Sequence, residues 1–530
     1  MDNKENAVVY NTPPENYYQK PVREPFNIEG RDKVFAVFAV ISSVILTVCG
    51  LFSGLAVGFS VAAVIMLLLF AFYLAGKTKP SAITVLCGIL CVLNCIPFVT
   101  TTTGSVRFFS FCAVILLGMI FLHGITANKT AKGDVGFFAG IIKSSFSTVA
   151  NVGVSVKSLF FASGDGRKAF LKSLIGIACA IPMLFVIVPL LISSDEAFTG
   201  LMLQLFADTF EIIIKAIVGV ALSFLVVSYG LSLKNQRLSQ VKEIKFKGMD
   251  NAYIISFLSV IAVCYLLYLF SQFAYFFSAF SGFLPDGYQF TASQYARRGF
   301  FEMTVIAVIN FILIYLALCL SSKRNGKTNV AIKILSTFIA IFTMIIIVTA
   351  ISKMVLYIGS FGMTVLRITT SAFMVFLFIV FISVILKTYI PRVKVLKTAL
   401  LTAGCILLML GVVNVDAVVA KYNYDSYVNG RLEGIDVQAI YFLGDEGVPY
   451  LAKLTKDNDY VVARQAKRYL HSCYRYDYFD GPDNFTVKEL REKDKRSGLD
   501  GFNIPNAIAY DVLYDYIEEN PKFRFYEPIY

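Results

Sequence analysis

The sequence predicts an all-α fold, in which a polytopic bundle of transmembrane helices precedes a small helical C-terminal domain. Hydrophobic residues make up 57% of the chain and charged residues only 16%, which is too apolar for an ordinary soluble enzyme. Most apolar residues fall in runs of about 20, the length that crosses hydrocarbon as a helix. From residue 421 onward the composition becomes hydrophilic and rich in tyrosine. These observations together favour a membrane bundle with a polar appendage.

The apolar runs predict about eleven membrane spans. They cover residues 34–55, 56–75, 81–100, 108–125, 171–193, 210–231, 252–276, 301–320, 330–351, 362–386 and 398–413. Residues 1–33 are too polar and too long for the start of a cleaved signal peptide, so we expect a disordered cytoplasmic tail there. The transmembrane domain is therefore expected to occupy residues 34–420.

Basic residues are concentrated in alternate loops of the predicted bundle. With a cytoplasmic N-terminus, the inner loops carry most of the lysines and arginines, as the positive-inside rule requires in a cell membrane. An odd number of spans then places the C-terminal domain outside the cytoplasm. The formal net charge of +12 follows from these short loops and does not indicate nucleic-acid binding.

Residues 135–161, between the fourth and fifth spans, are amphipathic. Phenylalanine and isoleucine alternate with serine, threonine and asparagine, and Lys143 and Lys157 interrupt the segment. This pattern predicts a helix lying in the inner membrane interface. If the segment crosses the membrane instead, every later loop changes sides.

The hydrophilic segment 421–530 is about the size of a small domain. The stretches "DEGVPYLAKL", "DNDYVVARQAKRYL" and "NAIAYDVLYDYIEEN" place apolar residues at helical spacing, with Asp and Asn near their starts as caps. The first two stretches resemble a helical hairpin of HEAT type, although one pair is too short for a solenoid.

No sequence motif predicts a cofactor or a metal site. Cys87, Cys91 and Cys95 recur every four residues, but helix rise separates the first and last by about 12 Å. Two thiolates on one zinc ion must lie within about 4.6 Å of each other, so the three cannot share a metal. Packing of small residues between helices explains them better.

Charged and polar residues collect at those span ends that the predicted topology places on the outer face. The predicted outer-face polar cluster consists of Asp195, Glu196, Tyr295, Arg297, Arg298, Glu302, Lys353, Tyr357, Arg367, Asn414 and Asp416. Arg298 and Glu302 have the i, i+4 spacing of a helical ion pair, and a salt bridge that only pins two helices remains the alternative. We expect Arg367, Asp195 and Asp416 to meet around an outer-leaflet pocket, because charges near hydrocarbon need partners or water.

Four blocks in this half of the chain carry a family resemblance. They are Pro189-Leu-Leu with Asp195 and Phe198, "YARRGFFE" from Tyr295, "KM..LY...FGMT..R" from Lys353, and "NVDA..AKYN" from Asn414. In this order they resemble a family of bacterial polytopic inner-membrane proteins that is classed as a domain of unknown function and is common in Gram-positive bacteria. The resemblance runs from about the fifth span to the tail. It implies an integral membrane protein and no particular reaction.

Three functions agree with the sequence. The first is transport or handling of an anionic solute or lipid at the outer leaflet, with the arginines as ligands. The second is an envelope sensor or scaffold whose external domain binds a protein partner. The third is a membrane enzyme acting on a lipid-linked substrate, with Asp195, Glu302 or Asp416 as general base, but no nucleophile or metal motif accompanies it. The expected partners are the lipid bilayer, an anionic lipid or solute, and an envelope protein.

Overall fold

A computed structural model describes residues 26–52, 54–76, 80–126, 134–160, 196–235, 248–281, 300–322, 328–478 and 502–520, together with Met183. Within these ranges the chain is helical and contains no β-strand, apart from an isolated bridge between Met249 and Ser321. The predicted all-α fold class is therefore confirmed.

Twelve helices build the described part of the bundle. They are α1 (Gly30–Leu46, continued by a π-helical turn Thr47–Leu51), α2 (Val57–Leu74), α3 (Ala82–Leu93), α4 (Pro97–Thr100), α5 (Gly104–Ile125), α6 (Asp134–Phe160), α7 (Glu196–Lys234), α8 (Asn251–Ser281), α9 (Phe300–Leu320), α10 (Val330–Phe361), α11 (Val365–Tyr389) and α12 (Val395–Val413). Five more follow in the tail: α13 (Val415–Val428), α14 (Val437–Tyr441), α15 (Val448–Leu454), α16 (Tyr460–Tyr478) and α17 (Ile504–Glu519).

Ten helical stretches among the described residues are long and apolar enough to cross a membrane. They correspond to ten of the predicted runs, and the remaining run, 171–193, lies outside the described residues apart from Met183. Large apolar side chains on these helices point away from the protein, with Phe72 76% exposed and Phe270 81% exposed. Such a surface suits lipid rather than water, so this is a multi-pass membrane protein.

Helix α1 begins at Gly30, four residues before the predicted apolar run. The Glu29 side chain accepts a hydrogen bond from the Asp32 amide, and the Asp32 side chain accepts one from the Glu29 amide. Together these two bonds close a capping box. Phe26, just upstream, is buried among α1, α2 and α7. Order therefore extends into the segment predicted as a tail, while residues 1–25 of that segment lie outside the described part.

Helices α1 and α7 cross at very short range. A Cβ atom on Gly219 would lie 2.4 Å from Thr47 Oγ1 and 2.7 Å from Val44 Cα. One of the bundle's ends, here called the Asp32 end, holds an ion pair at this interface. Lys234 Nζ of α7 lies 2.7 Å from Asp32 Oδ1, and the Tyr73 hydroxyl donates to the same carboxylate oxygen at 2.7 Å.

Helix α6 packs its polar face on α7 and leaves an apolar face outside. Asn151 donates to Ser232 Oγ at 3.1 Å, and Ser228 Oγ donates to the Thr148 carbonyl at 2.8 Å. Phe146, by contrast, is 73% exposed. This arrangement is the reverse of a helix in a soluble protein, and it suits contact with lipid. The interfacial position of the predicted 135–161 segment stays a prediction.

Helices α8 to α11 form a second packed group with its own apolar core. A polar network crosses that core: the Tyr265 hydroxyl donates to Asn310 Oδ1 at 2.6 Å, and Asn310 Nδ2 donates to Thr343 Oγ1 at 2.9 Å. Helix α12 contacts α11 on one side and α3, α4 and α5 on the other, so it joins the two groups.

The described tail helices α14 to α17 share a separate core. Leu451 of α15, Leu470 of α16 and Leu513 of α17 are all buried in it. Helices α15 and α16 pack against each other, and α17 covers α15. The HEAT type of the hairpin stays a prediction. Independent folding of residues 421–530 stays a prediction.

A buried carboxylate junction between the bundle and the tail

The junction begins where the last span breaks at Asn414. This residue separates α12 from α13 and adopts a left-handed conformation (φ 53°), which asparagine tolerates better than most residues. Its side-chain oxygen accepts a hydrogen bond from the Ala417 amide, 3.2 Å away, and so caps α13. Its side-chain nitrogen donates to the Thr100 carbonyl at 2.9 Å. The break is therefore tied to the turn that follows α4.

A second break faces the first one. The chain between α3 and α5 is interrupted around Pro97, and the resulting short helix α4 lies against the end of α12. Thr100 Oγ1 donates to the Gly411 carbonyl at 2.8 Å. The two backbones approach so closely that a Cβ on Gly411 would lie 2.3 Å from Pro97 Cγ. Only glycine fits at this position.

Asp416 lies in the first turn of α13 and is 6% exposed. The Thr103 hydroxyl, at the N-cap of α5, donates to Asp416 Oδ2 at 2.6 Å. Thr103 is itself held by Thr101, whose hydroxyl oxygen accepts from the Thr103 amide at 3.1 Å. Burial raises the pKa of Asp416 from 3.8 to about 6, and the nearby Glu446 carboxylate adds to that rise while the Thr103 hydroxyl opposes it.

We expect the Asp416→Asn variant to lose a pH dependence of stability that the native protein has. The folded state binds the Asp416 proton more tightly than the unfolded state, so the stabilisation is complete below about pH 4 and is lost as the pH rises through about 6. The whole effect is at most about 3 kcal/mol. Thermal unfolding at pH 5 and pH 7.5 should show a smaller difference in Tm for Asp416→Asn than for the native protein. Asp425→Asn, which changes an exposed carboxylate on the same helix, is the control and should leave that difference unchanged; an unchanged difference for both variants would contradict the assignment.

Glu446 of the tail contacts the same bundle turn, Thr101–Thr103, that holds Asp416. It is 5% exposed and follows α14 in a short 3₁₀ turn. Its Oε1 accepts a hydrogen bond from the Thr102 amide at 3.0 Å, and its Oε2 accepts one from the Thr102 hydroxyl. One side chain of the tail therefore satisfies both polar groups of a bundle residue. We call Thr101–Thr103, Asp416 and Glu446 the carboxylate junction.

Arg107, in the first turn of α5, stabilises the Thr101–Thr103 turn. Its Nε donates to the Thr101 carbonyl at 2.6 Å, and its Nη1 donates to the Gly54 carbonyl at 3.1 Å. The guanidinium is also close enough to interact electrostatically with Glu446 and Asp445. It therefore stiffens the turn and places positive charge beside the carboxylates.

The tail touches the bundle at a second point. The Val57 amide at the start of α2 donates to the Phe502 carbonyl at 3.2 Å, just before α17 begins. Asn506 of α17 in turn donates to the Asp445 carboxylate at 3.4 Å. The two contact points are thus linked through the tail itself, so the tail docks as a unit on this end of the bundle, here called the Asp416 end.

The predicted outer-face cluster is only partly described. Asp195, Tyr295, Arg297 and Arg298 lie outside the described residues, as does the side chain of Glu196. Glu302 is exposed in the first turn of α9. The predicted Arg298–Glu302 pair therefore stays a prediction.

Tyr357 and Arg367 meet at the turn between α10 and α11. The Arg367 guanidinium lies 4.2 Å from the centre of the Tyr357 ring, and it donates to the carbonyls of Phe361 and Gly362. Lys353 is 9% exposed, further down α10. The Arg367 guanidinium therefore lies against the end of α10, where carbonyl groups and an aromatic ring accept positive charge.

The α10–α11 turn belongs to the Asp416 end. Asn423 of α13 accepts a hydrogen bond from the Met363 amide at 2.7 Å and donates to the Met363 carbonyl at 2.8 Å. Arg367, Asn414 and Asp416 therefore lie at the same end of the bundle. The expected Arg367–Asp416 contact is nevertheless absent among the described side chains, because Asp416 bonds Thr103 while Arg367 bonds the end of its own helix hairpin.

Sequence reasoning missed the three threonines of the junction, Thr101 to Thr103, and also Arg107 and Glu446. A signal was present, since residues 100–103 are four consecutive threonines directly before a helix and such residues favour helix N-termini. Glu446 has no comparable signal, because the pattern around it predicts only a helix and its cap.

The chain matches a known protein family. No curated protein and no solved structure matches the sequence. Residues 88–454 match the family described as "Domain of unknown function (DUF4153)", which covers more than two thirds of the chain. The match begins in α3, well before the fifth span at which the resemblance was placed, and it includes every residue of the carboxylate junction. The chain therefore belongs to the DUF4153 family.

Proposed function

We propose that this protein is a membrane-anchored sensor or scaffold whose C-terminal domain docks reversibly on the bundle and engages a partner when released. The observation that carries the proposal is the Glu446 contact with Thr102. It places a tail carboxylate in a buried position on the bundle. Leu443, three residues earlier in the tail, packs against the buried apolar cluster that includes Val106 and Val419. The domain is thus held by polar contacts beside a small apolar patch.

The chemistry of the contact suits reversible docking. A buried carboxylate is costly unless hydrogen bonds replace its lost water. Glu446 receives those bonds from an amide and a hydroxyl, which are weaker partners than a bidentate arginine. The Asp416 carboxylate lies close enough to repel it when ionised. Protonation of Asp416 below about pH 6 removes that repulsion, so the docked state is favoured as the pH falls.

Two buried polar networks of the bundle support a packed scaffold. The deeply buried polar groups described above are satisfied in separate local networks, namely Asp32 with Lys234 and Tyr73, and Tyr265 with Asn310 and Thr343. Closed networks of this kind stabilise helix packing. The α6 hydroxyls likewise bond neighbouring backbone.

Handling of an anionic ligand is the second candidate, and one observation favours it. The Thr102 amide and hydroxyl, next to the N-terminus of α5 and to Arg107, already hold a carboxylate. Helix N-termini and guanidinium groups are general anion-binding groups. An external carboxylate or phosphate that displaced Glu446 would meet the same donors, which would couple ligand binding to release of the tail.

Hydrogen exchange of the full-length protein in detergent tests reversible docking. Glu446→Ala should speed exchange in both partners, at residues 97–107 of the bundle and at residues 437–454 of the tail, because each loses its bonded counterpart. Glu433→Ala removes an exposed carboxylate from the same connecting segment and should leave both regions unchanged.

Two results separate the candidates. Faster exchange on adding a soluble phosphate or carboxylate to the native protein would favour the anionic-ligand candidate, since an ion would then compete with Glu446. Exchange unchanged in Glu446→Ala would contradict docking through the junction and with it both candidates.

A further inference from the structure

A lateral groove of about 270 Å³ opens between α1, α6 and α7, away from the carboxylate junction. Its floor is formed by Ser155, Ser223 and Val227, all buried, and its walls include Val40 and Leu159. Lys33 lies at its rim and is exposed. The groove therefore runs along the outside of transmembrane helices, with a cation at one end.

The two floor serines do not make the groove polar. Ser155 Oγ donates to the Asn151 carbonyl at 3.0 Å, and Ser223 Oγ donates to the Val220 carbonyl at 2.6 Å. Each hydroxyl is thus bonded within its own helix, and the remaining lining is aliphatic or aromatic. Such a surface selects a hydrocarbon chain and offers little to a polar solute.

Lys33 is the charged residue of the groove lining and lies at the mouth. The acidic groups nearby, Glu29 and Asp32, are both bonded to Lys234. Lys33 therefore lies beside this ion-pair group and presents its own charge at the mouth.

The groove is long enough to hold part of an acyl chain. From Lys33 to Val40 the α1 axis rises about 10 Å, since each helical residue adds about 1.5 Å. An apolar floor of that length, below an exposed lysine at a helix end, has the same polarity gradient as a phospholipid in its leaflet. A lipid bound there would bury its chain and keep its phosphate at Lys33.

We propose that this groove binds one acyl chain of an anionic phospholipid, with the phosphate held by Lys33. The carboxylate junction plays no part in this site, so the proposal stands apart from the proposed function. The bilayer supplies the ligand at high local concentration, and the basic rim selects an anionic head group over a zwitterionic one.

Photo-crosslinking in lipid nanodiscs tests the site. Phosphatidylglycerol or phosphatidylcholine with a diazirine in the acyl chain is incorporated beside the native protein, and the labelled peptides are identified by mass spectrometry. We expect preferential labelling of residues 36–40, 155–159 and 223–227 by the phosphatidylglycerol probe. Lys33→Gln should lower that labelling about fivefold and leave labelling by the phosphatidylcholine probe unchanged.

Matched variants separate the groove from general lipid contact. Val40→Trp fills the groove and should abolish labelling there with both probes, whereas Ile41→Trp, at a neighbouring exposed position outside the lining, should preserve it. Lys143→Gln removes an exposed lysine of α6 away from the groove and should change nothing. Equal labelling in Val40→Trp and Ile41→Trp would overturn the proposal.

Discussion

Replacing Lys234 with methionine should destabilise the bundle by about 3 to 5 kcal/mol. Asp32 is fully buried, and Lys234 Nζ lies 2.7 Å and 2.9 Å from its two carboxylate oxygens. The Tyr73 hydroxyl and the Glu29 amide complete the shell of the carboxylate. Removing the lysine leaves a buried carboxylate without its counter-charge, and that loss outweighs the hydrophobic gain of methionine.

A double-mutant cycle measures the coupling. Asp32→Asn combined with Lys234→Met should cost clearly less than the sum of the single changes, because the double variant buries no unpaired charge. Unfolding by sodium dodecyl sulfate, followed by circular dichroism, gives the free energies. Glu29→Gln is the control: Glu29 contacts the same lysine but its side chain is 64% exposed, so its loss should cost at most about 1 kcal/mol. Additive effects in the cycle would show that the pair is not coupled.

Gly411→Ala should be the most damaging small substitution at the Asp416 end. The added methyl would lie 2.3 Å from Pro97 Cγ and 3.0 Å from Pro97 Cα, so α4 and α12 must separate. Separation also weakens the Thr100–Gly411 and Asn414–Thr100 hydrogen bonds, which position Asp416. Overpacking of this kind costs about 1 to 3 kcal/mol, and the lost hydrogen bonds add to it. The same detergent titration should show a clear loss of stability.

Gly359→Ala provides the matched control. Gly359 lies inside α10, and a Cβ there would meet no atom within 4 Å. Alanine favours helix over glycine by about 1 kcal/mol, so this variant should be neutral or slightly stabilised. A Gly411→Ala variant as stable as Gly359→Ala would contradict the close approach of the two backbones.

The membrane spans were predictable because hydrocarbon imposes both length and apolarity on a helix. Each predicted run within the described residues corresponds to helical chain, although residues 81–100 are divided between α3 and α4, and α7 and α10 extend ten residues or more beyond their runs. Gly30 starts α1 early because Glu29 and Asp32 close a capping box, a local effect that apolarity alone does not report. Helix α10 (Val330–Phe361) extends beyond its apolar run, and the added part contains the polar residues Lys353 and Tyr357.

The partners of the polar residues were not predictable in the same way. Asp416 and Asn414 were recognised as candidates, but Thr103 lies 313 residues from Asp416, and Thr102 lies 344 residues from Glu446. Periodicity shows which face of a helix is apolar and does not show which distant turn meets it. Arg367 illustrates the limit, since its charge predicted a carboxylate partner and the structure provides an aromatic ring and two carbonyls.

Docking of the tail on the Asp416 end is the central claim, and site-specific photo-crosslinking tests it most directly. A benzophenone side chain at Phe502, whose carbonyl bonds the Val57 amide, should crosslink to residues 55–60 at the start of α2 in the full-length protein in its membrane. The same group at Phe442, which is 72% exposed in the tail, should not label that segment. Crosslinks from position 502 confined to the tail, or the same crosslinks from both positions, would contradict the docked arrangement.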